Sequence, residues 1–528
     1  METAPTAAAG PAPRAGLREW LGLAVLALPT ILLSLDVTVL YLALPHLGTD
    51  LKPSGTEILW IIDVFGFLIA GFLITMGTIG DRIGRRRLLM IGATGFAGAS
   101  VMAAYSTSPE MLIVSRALLG VFGATLMPST LSLISNMFQD AKQRATAIGI
   151  WAACFSSGIA IGPLIGGLLL EWFWWGSVFL LAVPVMGILL IAAPVLLPEY
   201  RGTARHRIDL LSVALSLGAV IPVIWGIKEM AEDGTAPLPA VALVGGLALG
   251  VAFVLRQRRL TEPLLDIRMF SDRGFSAALV VLLFGVGVVG GCYLFISQYL
   301  QLIEDLSPFK AGLWLLPSAG AMIVTAGAAP ELIRWIRPGY LLGAGLLMSA
   351  AGYYMLSQVE ADGGRTTLVW AMVVMFAGLG PVFALGTDLV VGAAPPEKSG
   401  SAAAMSETSM EFGISLGIAV LGSIGSAVYR NEMDDTMPAG LPEEAAEVAG
   451  DTLPGAVAVA EELGPKEAEA LTTPAFESFT EGLSTIAVVC SATVLVLALL
   501  SFALLRRVRT AAQVEAERTA AEAEPTGA

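Results

Sequence analysis

The sequence predicts an all-α polytopic membrane protein with fourteen transmembrane helices and both termini in the cytoplasm. Of its 528 residues, 55% are hydrophobic and only 14% are charged, and the mean hydropathy is +0.76. Soluble proteins contain about 25% charged residues, so this chain has too few to cover a soluble surface. In addition, runs of about 20 apolar residues, which span a bilayer as a helix, recur along nearly the whole chain.

The apolar runs define fourteen spans in chain order. Their boundaries are 19–45, 57–80, 86–105, 110–135, 142–170, 175–197, 208–229, 237–256, 275–303, 309–330, 338–358, 366–392, 400–428 and 483–506. Pro222 interrupts the seventh run and the eighth is rich in glycine, so these two depart most from a continuous apolar helix.

Lysine and arginine are distributed unevenly between the alternate connections. One side, which includes both tails, carries 23 of the 30 cationic residues, and the other side carries six. Cytoplasmic segments of membrane proteins are enriched in lysine and arginine, so the richer side is predicted to be cytoplasmic. Both termini then lie in the cytoplasm, which requires an even number of spans.

The composition excludes several classes of protein. The net charge is −14 and no basic stripe occurs, so nucleic acid is excluded as a partner. The three cysteines are far apart and only two histidines are present, so neither a disulfide framework nor a metal site is expected. No GxxxxGK[ST] loop appears, so ATP is not predicted to drive the protein, and no cofactor is predicted.

The predicted outer loop 431–482 is strongly acidic. It carries thirteen acidic residues against one lysine. Apolar residues recur at helical spacing in 441–449 and 452–463, separated by Gly450 and Pro454. We interpret the loop as an external helical hairpin that rests near the membrane face. The alternative is a disordered acidic loop.

Ionisable residues inside the predicted spans are the main functional signal, because such groups are costly in hydrocarbon and usually mark a translocation or proton path. Asp36 lies about 13 Å from the outer end of the first span, and Asp63 about 9 Å from that of the second. Glu407 and Glu411 are four residues apart, so both carboxylates project from one face of the thirteenth span.

Two further charged residues, Asp388 and Arg116, fall in the twelfth and fourth spans. A buried carboxylate can either hold a proton or attract a cation, and the two states exclude each other. This exclusion is the physical basis of antiport. The alternative is structural: an acid can simply pair with Arg116 or cap a broken helix, and Asp388 is close enough to the inner surface to be solvated.

Aromatic and polar side chains near these acids can surround a flat lipophilic cation through cation–π and dispersion contacts. The candidates for a substrate cavity are Tyr41, Trp60, Trp151, Tyr293, Gln298, Tyr299 and Phe383. For each of them, ordinary helix packing or an interfacial aromatic belt is the alternative.

Two glycine-rich patterns stand out. The fifth span contains Gly158, Gly162, Pro163, Gly166 and Gly167. Proline removes a backbone hydrogen bond and glycines permit close contact, so this face is predicted to bend and pack tightly on another helix. The second pattern is the inner connection 77–87, which contains Gly77, Asp81, Arg82, Gly84, Arg85 and Arg86.

Together these patterns resemble the major facilitator superfamily. The connection 77–87 matches its G-x-L-A-D-R-x-G-R-K signature with Gly80 in the alanine position, and 116–123 matches its helix-four motif. The fifth-span pattern is similar to the helix-five motif of antiporters, and 35–45 to the helix-one motif of fourteen-helix drug:proton antiporters. The resemblance covers essentially the whole chain and is closest to quaternary-ammonium efflux pumps of the Qac type.

The resemblance implies a 6 + 2 + 6 arrangement of helices that alternate access by rocking. The implied segments are a cytoplasmic tail at 1–18, a six-helix bundle at 19–200, an inserted helix pair at 201–260, a second six-helix bundle at 261–506 that includes the loop 431–482, and a cytoplasmic tail at 507–528. It also implies that the 77–87 residues form a cytoplasmic gate, that Asp36 and Arg116 couple protons, and that Glu407 and Glu411 line the cavity.

Some positions depart from the family pattern. Tyr41 stands where many fourteen-helix relatives have asparagine. Some Qac-type pumps that accept divalent cations have an acid in helix ten, whereas this chain has Met322 near that position. A second charge on the substrate is therefore expected to be accommodated poorly.

The sequence thus predicts a monomeric, proton-coupled efflux antiporter in a bacterial plasma membrane, with lipids around it and lipophilic cations as substrates. One alternative is a dedicated exporter of an endogenous metabolite or antibiotic. From other classes, a membrane-embedded enzyme lacks a clustered catalytic constellation in the sequence. A passive channel would not need paired gates, and its transport would be insensitive to the proton gradient.

Overall fold

The computed structural model describes residues 14–201, 209–233, 237–260, 263, 267–392 and 399–505, and these contain helices and connecting segments but no strand. The all-α prediction is confirmed. Most of the predicted N-terminal tail and the whole predicted C-terminal tail lie outside the described residues. Helix ends are called inner or outer according to the side predicted from the distribution of lysine and arginine.

The chain forms seventeen α-helices in the described residues. Their bounds are α1 Leu17–Leu51, α2 Gly55–Ile83, α3 Arg85–Ala104, α4 Pro109–Met137, α5 Ala141–Trp172, α6 Ser177–Leu180, α7 Ala182–Leu196, α8 Leu210–Asp233, α9 Pro237–Arg259, α10 Arg273–Gln298, α11 Pro308–Leu332, α12 Pro338–Leu356, α13 Arg365–Gly392, α14 Ser399–Thr436, α15 Glu443–Asp451, α16 Leu453–Glu461 and α17 Pro465–Leu504. A 3₁₀ turn at Ile267–Ser271 precedes α10, and a π-helical turn at Tyr299–Ile303 follows it.

Twelve segments of the described residues are long and apolar enough to cross a membrane. The short helix α6 and α7 together make one of them, Ser177–Leu196. The two remaining predicted spans correspond to α5 and α8, which contain only shorter apolar stretches, Thr146–Phe155, Ile161–Trp172 and Leu211–Ile227.

Polar side chains begin several of these helices. Ser54, Ser108, Asp140 and Asp272 each accept a hydrogen bond from the backbone N–H three residues later. Such caps satisfy backbone donors that have no partner within the helix, which matters most where hydrocarbon supplies no water. These four side chains therefore define where α2, α4, α5 and α10 begin.

The helices pack as two groups. The first bundle contains α1–α7, in which α1 packs on α5, α2 on α4, and α3 on α4 and α7. The second bundle contains α10–α14 and α17, in which α10 packs on α14, α11 on α13, and α12 on α13 and α17. Glycine permits the closest approaches, because a Cβ at Gly345 of α12 would lie 2.5 Å from the carbonyl oxygen of Gly378 in α13.

The bundles meet at three seams: α1 against α10, α2 against α14, and α5 against α11. The inserted pair, α8 and α9, lies beside one of them, because α8 contacts both α2 and α14. At their inner ends, Arg256 of α9 forms an ion pair with Asp209 at 2.8 Å, and Gln257 donates a hydrogen bond to Ser212. These bonds hold α8 and α9 together as a hairpin.

The predicted outer loop contains two short helices, α15 and α16, which we call the outer hairpin. It connects α14 to α17, and the outer part of α17 begins well before the apolar stretch predicted at 483–506. Tyr429 of α14 donates a hydrogen bond of 2.9 Å to the carbonyl of Ala449. The hairpin is therefore anchored to the second bundle.

Replacing Gly345 by leucine is expected to destabilise the second bundle. The new side chain would meet the backbone of α13, which cannot move aside as a flexible side chain can, and overpacking costs about 1–3 kcal/mol. Thermal unfolding in detergent should show a lower midpoint. Gly327→Leu on α11 is the matched control because nothing lies within 4 Å of a Cβ there, and it should unfold like the wild type. Equal midpoints for the two variants would contradict this account of the packing.

Candidate functional site

A cavity of about 90 Å³ lies between the two bundles, in the middle of the membrane-crossing part of the protein. The first bundle contributes α1 and α5, and the second contributes α10, α11, α13 and α14. The lining residues include Ser34, Thr38, Tyr41, Phe155, Pro163, Tyr293, Ser318, Met322, Phe376, Phe383, Glu407, Met410 and Glu411.

Glu407 and Glu411 are the acidic residues of this lining. Both project from one face of α14, as their spacing requires, and the Glu411 residue is only 8% exposed. Among the described residues, neither carboxylate forms an ion pair or a hydrogen bond. A buried carboxylate without a counterion is stable only when it holds a proton or when a cation is bound beside it.

The rest of the cavity wall is mainly aromatic and aliphatic. Tyr41 of α1 and Tyr293 of α10 pack edge to face across the seam between the bundles, with ring centroids 5.2 Å apart. Phe383, Met322 and Met410 complete an apolar surface around the two carboxylates. This combination suits a lipophilic cation, because aromatic faces and thioethers attract its apolar or cationic parts while a carboxylate neutralises its charge.

Arg116 and Asp36 form an ion pair inside the first bundle, with Nη1 and Oδ2 2.5 Å apart. Arg116 is 1% exposed, and it also donates hydrogen bonds to the carbonyls of Ile61 and Ile62 in α2. Its guanidinium stacks on Phe65 with a distance of 4.5 Å to the ring centroid. The pair therefore joins α1, α2 and α4 and lies outside the cavity lining. Asp63 is buried on α2, next to the carbonyls that Arg116 binds.

Several predicted cavity residues lie elsewhere in the structure. Trp151 donates a hydrogen bond to Thr130 between α5 and α4, and Trp60 packs in the apolar cluster between α2 and α8. Asp388 is exposed on α13 and does not line the cavity.

Gln298 and Tyr299 also lie outside the cavity, at the outer end of α10. Gln298 lines a separate small pocket beneath the outer hairpin. The Tyr299 hydroxyl donates a hydrogen bond of 2.6 Å to the carbonyl of Glu360. The α-helix gives way to a π-helical turn at Tyr299, which rotates the following side chains away from the positions that regular helical spacing predicts.

The glycines of α5 bring the helix into contact with two neighbours. A Cβ at Gly158 would meet the Ser34 side chain and lie 2.6 Å from the carbonyl oxygen of Ile31, so this face needs glycine to pack on α1. Gly162 and Gly166 continue the same face along Thr38 and Val39. Gly167 faces α11 of the other bundle, where a Cβ would lie 2.6 Å from the Cα of Phe309.

The inner connection between α2 and α3 is held within the first bundle. Arg85 forms an ion pair with Asp81 at 2.7 Å and donates a hydrogen bond to the Pro128 carbonyl of α4. Arg86 donates a hydrogen bond of 2.9 Å to the Leu197 carbonyl, whereas Arg82 is exposed. Gly77 lies against Pro128 with space to spare.

Glu199 completes this cluster and was not predicted from the sequence. It accepts a hydrogen bond from the Arg86 backbone and lies 3.8 Å from the guanidinium nitrogens of Arg86 and Arg87. Gly84 adopts φ 114°, and a Cβ there would lie 2.6 Å from the Glu199 carboxyl carbon. A lone acid immediately after the sixth span, facing an arginine cluster on the same side, is the signal that could have identified it.

The outer hairpin bridges the two bundles. Asp451 accepts a hydrogen bond of 2.8 Å from the backbone N–H of Gly55, at the start of α2, and lies 3.4 Å from Arg430 of α14. Pro454 of the outer hairpin packs on Gly48 of α1, where a Cβ would lie 2.7 Å from the Cβ of Pro454. The bundles therefore meet at their outer ends, with the cavity on the inner side of these contacts.

The comparisons with known proteins agree with this architecture. The family model of the Major Facilitator Superfamily matches residues 26–418. A solved bacterial homologue of the human lysosomal transporter Spinster, in an inward-facing and unoccupied conformation, superposes with a TM-score of 0.62 at 17% sequence identity, covering 92% of this chain and 98% of that one. This similarity supports the fold alone.

Three curated relatives are similar over most of their length. The multidrug efflux pump LfrA of Mycolicibacterium smegmatis is 42% identical, with 91% of this chain and 95% of that protein covered. The methyl viologen resistance protein SmvA of Salmonella typhimurium is 33% identical, with 88% and 93% covered. The tetracenomycin C resistance and export protein of Streptomyces glaucescens is 34% identical, with 92% of each chain covered.

Removing either member of the Arg116–Asp36 pair is expected to destabilise the first bundle strongly. Breaking a buried ion pair leaves an uncompensated charge and costs about 3–5 kcal/mol. Asp36→Asn and Arg116→Gln should each lower the unfolding midpoint in detergent. The double variant should lose less unfolding free energy than the two single variants lose together, because neither charge is then left without its partner. Additive losses would show that the two side chains do not interact.

Weakening the outer hairpin contact is expected to open the outer side. Asp451→Asn removes the charge that faces Arg430 and the N-terminus of α2, where the helix dipole favours an anion. A single cysteine at Ser54 should then react faster with a membrane-impermeant thiol reagent, in a background that lacks the native cysteines. Glu447→Gln, on the preceding turn of the same hairpin, is the matched control and should leave the reaction rate unchanged.

Proposed function

The chain belongs to the Major Facilitator Superfamily, and on that premise we propose that it is a proton-coupled multidrug antiporter that exports lipophilic cations by alternating access. It is a multi-pass efflux transporter of the bacterial plasma membrane and not an enzyme. The proposed substrates are quaternary ammonium antiseptics and cationic dyes, and the energy comes from the proton gradient.

One observation carries the proposal: Glu407 and Glu411 face an apolar, aromatic cavity without a counterion among the described residues. A neutral drug would leave the carboxyl groups protonated and gain no charge interaction from them, and an anionic drug would be repelled by an ionised carboxylate. A cation alone gains by replacing the proton and neutralising the carboxylate. The name of SmvA connects that 33% identical protein to methyl viologen, which supports a positively charged substrate. Methyl viologen carries two positive charges and is more polar than the dyes proposed here, so it does not bear on the expectation that a second charge is accommodated poorly in this chain.

Competition at the carboxylates couples the export of cations to the entry of protons. A cation that binds beside Glu407 or Glu411 displaces the proton from that group, and a proton that arrives from outside displaces the cation. Because either event neutralises the site, the bundles can move past each other only when the cavity is occupied. A gradient of protons then drives cations outward.

The proposed architecture is that of fourteen spans in a 6 + 2 + 6 arrangement, with α5 and α8 crossing the membrane and both termini in the cytoplasm. A single chain supplies both bundles and the cavity, so we propose that the transporter acts as a monomer. For export, the outer contacts of Tyr41, Gly167 and Asp451 must separate, and the 77–87 connection then closes the inner side as the cytoplasmic gate.

A dedicated exporter of an endogenous antibiotic is the second candidate. It is favoured by the similarity to the tetracenomycin C resistance and export protein. The two candidates differ in the charge of the substrate, since an uncharged aromatic antibiotic gains nothing from the carboxylates of the cavity. Transport that survives the loss of both acids would therefore favour this second candidate.

Efflux of ethidium from energised cells tests the proposal. Wild-type protein should extrude the dye, and an uncoupler should abolish the extrusion. Glu407→Gln and Glu411→Gln should each reduce it at least about tenfold, because the loss of one desolvated charge contact exceeds about 1.4 kcal/mol. Asp435→Asn, an exposed acid at the outer end of the same helix, is the control and should transport normally.

Extrusion that persists in the uncoupled cells would contradict proton coupling. Extrusion that is equal in Glu407→Gln, Glu411→Gln and the control would contradict the role of the two carboxylates.

A further inference from the structure

Tyr41 joins α1 of the first bundle to α10 of the second at three points. Its ring packs edge to face on Tyr293, and its hydroxyl oxygen lies 3.5 Å from the carbonyl oxygen of Gly290. Its own backbone carbonyl accepts a hydrogen bond of 2.9 Å from the Ser297 hydroxyl. Gly290, Tyr293 and Ser297 follow one face of α10 at helical spacing, so one residue of α1 covers about two turns of the other bundle.

The carbonyl of Tyr41 is available for this hydrogen bond because of Pro45. In an α-helix each carbonyl accepts a hydrogen bond from the backbone N–H four residues later, and proline has no N–H. Pro45 lies inside α1, four residues after Tyr41. The Tyr41 carbonyl therefore lacks its regular partner, and because the residue is only 2% exposed, bulk water does not replace that partner. A buried carbonyl without a hydrogen bond is costly, so another donor is required here.

Ser297 supplies the missing donor from the opposite bundle. The residue is fully buried in α10. Gln301, in the π-helical turn that follows, donates hydrogen bonds of 3.3 Å to the hydroxyl and to the carbonyl of Ser297. Because the hydroxyl accepts from Gln301, its own proton is directed to Tyr41. The bond to Tyr41 joins a hydroxyl to a peptide carbonyl, and neither group carries a charge.

We propose that Ser297 is a positioning residue of the transport cycle, which pairs the carbonyl that Pro45 leaves free and so sets the balance between the outer-closed and outer-open states. The inference rests on the alternating access of the proposed function and does not depend on which substrates are exported. Tyr41 connects this balance to the cavity, because its side chain lines the cavity while its backbone accepts the hydrogen bond. A substrate that displaces the Tyr41 ring therefore acts on the closure of the outer side.

The hydrogen bond favours the closed state because only that state buries the Tyr41 carbonyl. Tyr41 lies about 10 Å inward of Gly48, which the outer hairpin covers, so the bond lies deeper than the contacts of the hairpin. When α1 and α10 separate, water enters between the bundles and can bond the carbonyl in place of Ser297. Without the serine hydroxyl, the carbonyl is unpaired in the closed state and hydrated in the open state. Loss of the hydroxyl therefore shifts the balance toward the open state.

The distance between two spin labels measures this balance. Glu171→Cys, at the outer end of α5, and Asp362→Cys, between α12 and α13, place one label on each bundle at exposed positions, in a background that lacks the native cysteines. The distance, measured by double electron–electron resonance without substrate, is short when the outer ends meet and long when they separate. All variants are compared at a pH at which both distances are populated.

Ser297→Ala should raise the ratio of long to short distances at least about threefold, the typical effect of one hydrogen bond between transmembrane helices. Pro45→Ala restores the N–H that bonds the Tyr41 carbonyl within α1. Adding Ser297→Ala to Pro45→Ala should therefore change the ratio by less than about 1.5-fold, because both substitutions act on the same carbonyl.

Ser349→Ala is the matched control. Ser349 of α12 is also fully buried and donates a hydrogen bond of 2.8 Å to a backbone carbonyl of the neighbouring helix, that of Met375 in α13. Both of these helices belong to the second bundle. The substitution should lower the unfolding midpoint in detergent and leave the ratio of distances unchanged, which separates a less stable fold from a shifted balance.

Four results would overturn the inference. An unchanged ratio in Ser297→Ala would show that the hydrogen bond does not favour the closed state. An equal effect of Ser297→Ala with and without Pro45→Ala would show that the serine does not act through the Tyr41 carbonyl. An equal shift in Ser349→Ala would show a general effect of lost stability. If no pH gives two distances, the proposed alternating access is wrong and the inference falls with it.

The inference and the proposed substrates can be tested separately. The expected ratios in a protein that does not transport ethidium would support the role of Ser297 and contradict only the proposed substrates.

Discussion

The structure depends on one constraint: two carboxylates, Glu407 and Glu411, occupy an apolar cavity inside a membrane protein without a counterion among the described residues. Water is too scarce there to stabilise a bare negative charge, so each carboxylate must hold a proton or a cation. The aromatic wall around Tyr41 and Tyr293 then selects which cations are accepted. Specificity for charge and coupling to protons follow from the same pair of side chains.

The packing of the helices serves this cavity by closing its outer side. Glycine allows backbones to touch at the outer ends, as at Gly167 and Gly312, so the seam is tight there. Polar contacts at the surface, above all those of Asp451, add a second closure where water weakens each ion pair. Breaking such contacts costs little free energy, which suits a protein that must open on this side. By contrast, the Arg116–Asp36 pair is buried within one bundle and holds α1, α2 and α4 together as the bundle moves.

The sequence predicts the helical fold well because the bilayer requires long apolar segments, and α2, α3 or α10 could be delimited within a few residues. It identifies Glu407 and Glu411 because acids in hydrocarbon are rare and their spacing fixes their common face. It fails where tertiary packing decides: Trp60 and Trp151 are as aromatic as Tyr41, but whether a ring faces a cavity or a neighbouring helix depends on how the helices are rotated. Local irregularities such as the π-helical turn at the end of α10 and contacts distant in sequence leave no periodic signal.

The central claim is that protons and cations compete for the same carboxylates, and proton release measures this most directly. Ethidium should be titrated into purified protein in weakly buffered detergent solution while the pH is recorded. The account predicts that binding releases protons, that the affinity falls as the pH is lowered, and that a protein carrying both Glu407→Gln and Glu411→Gln releases none. Binding without proton release, with an affinity independent of pH, would contradict it.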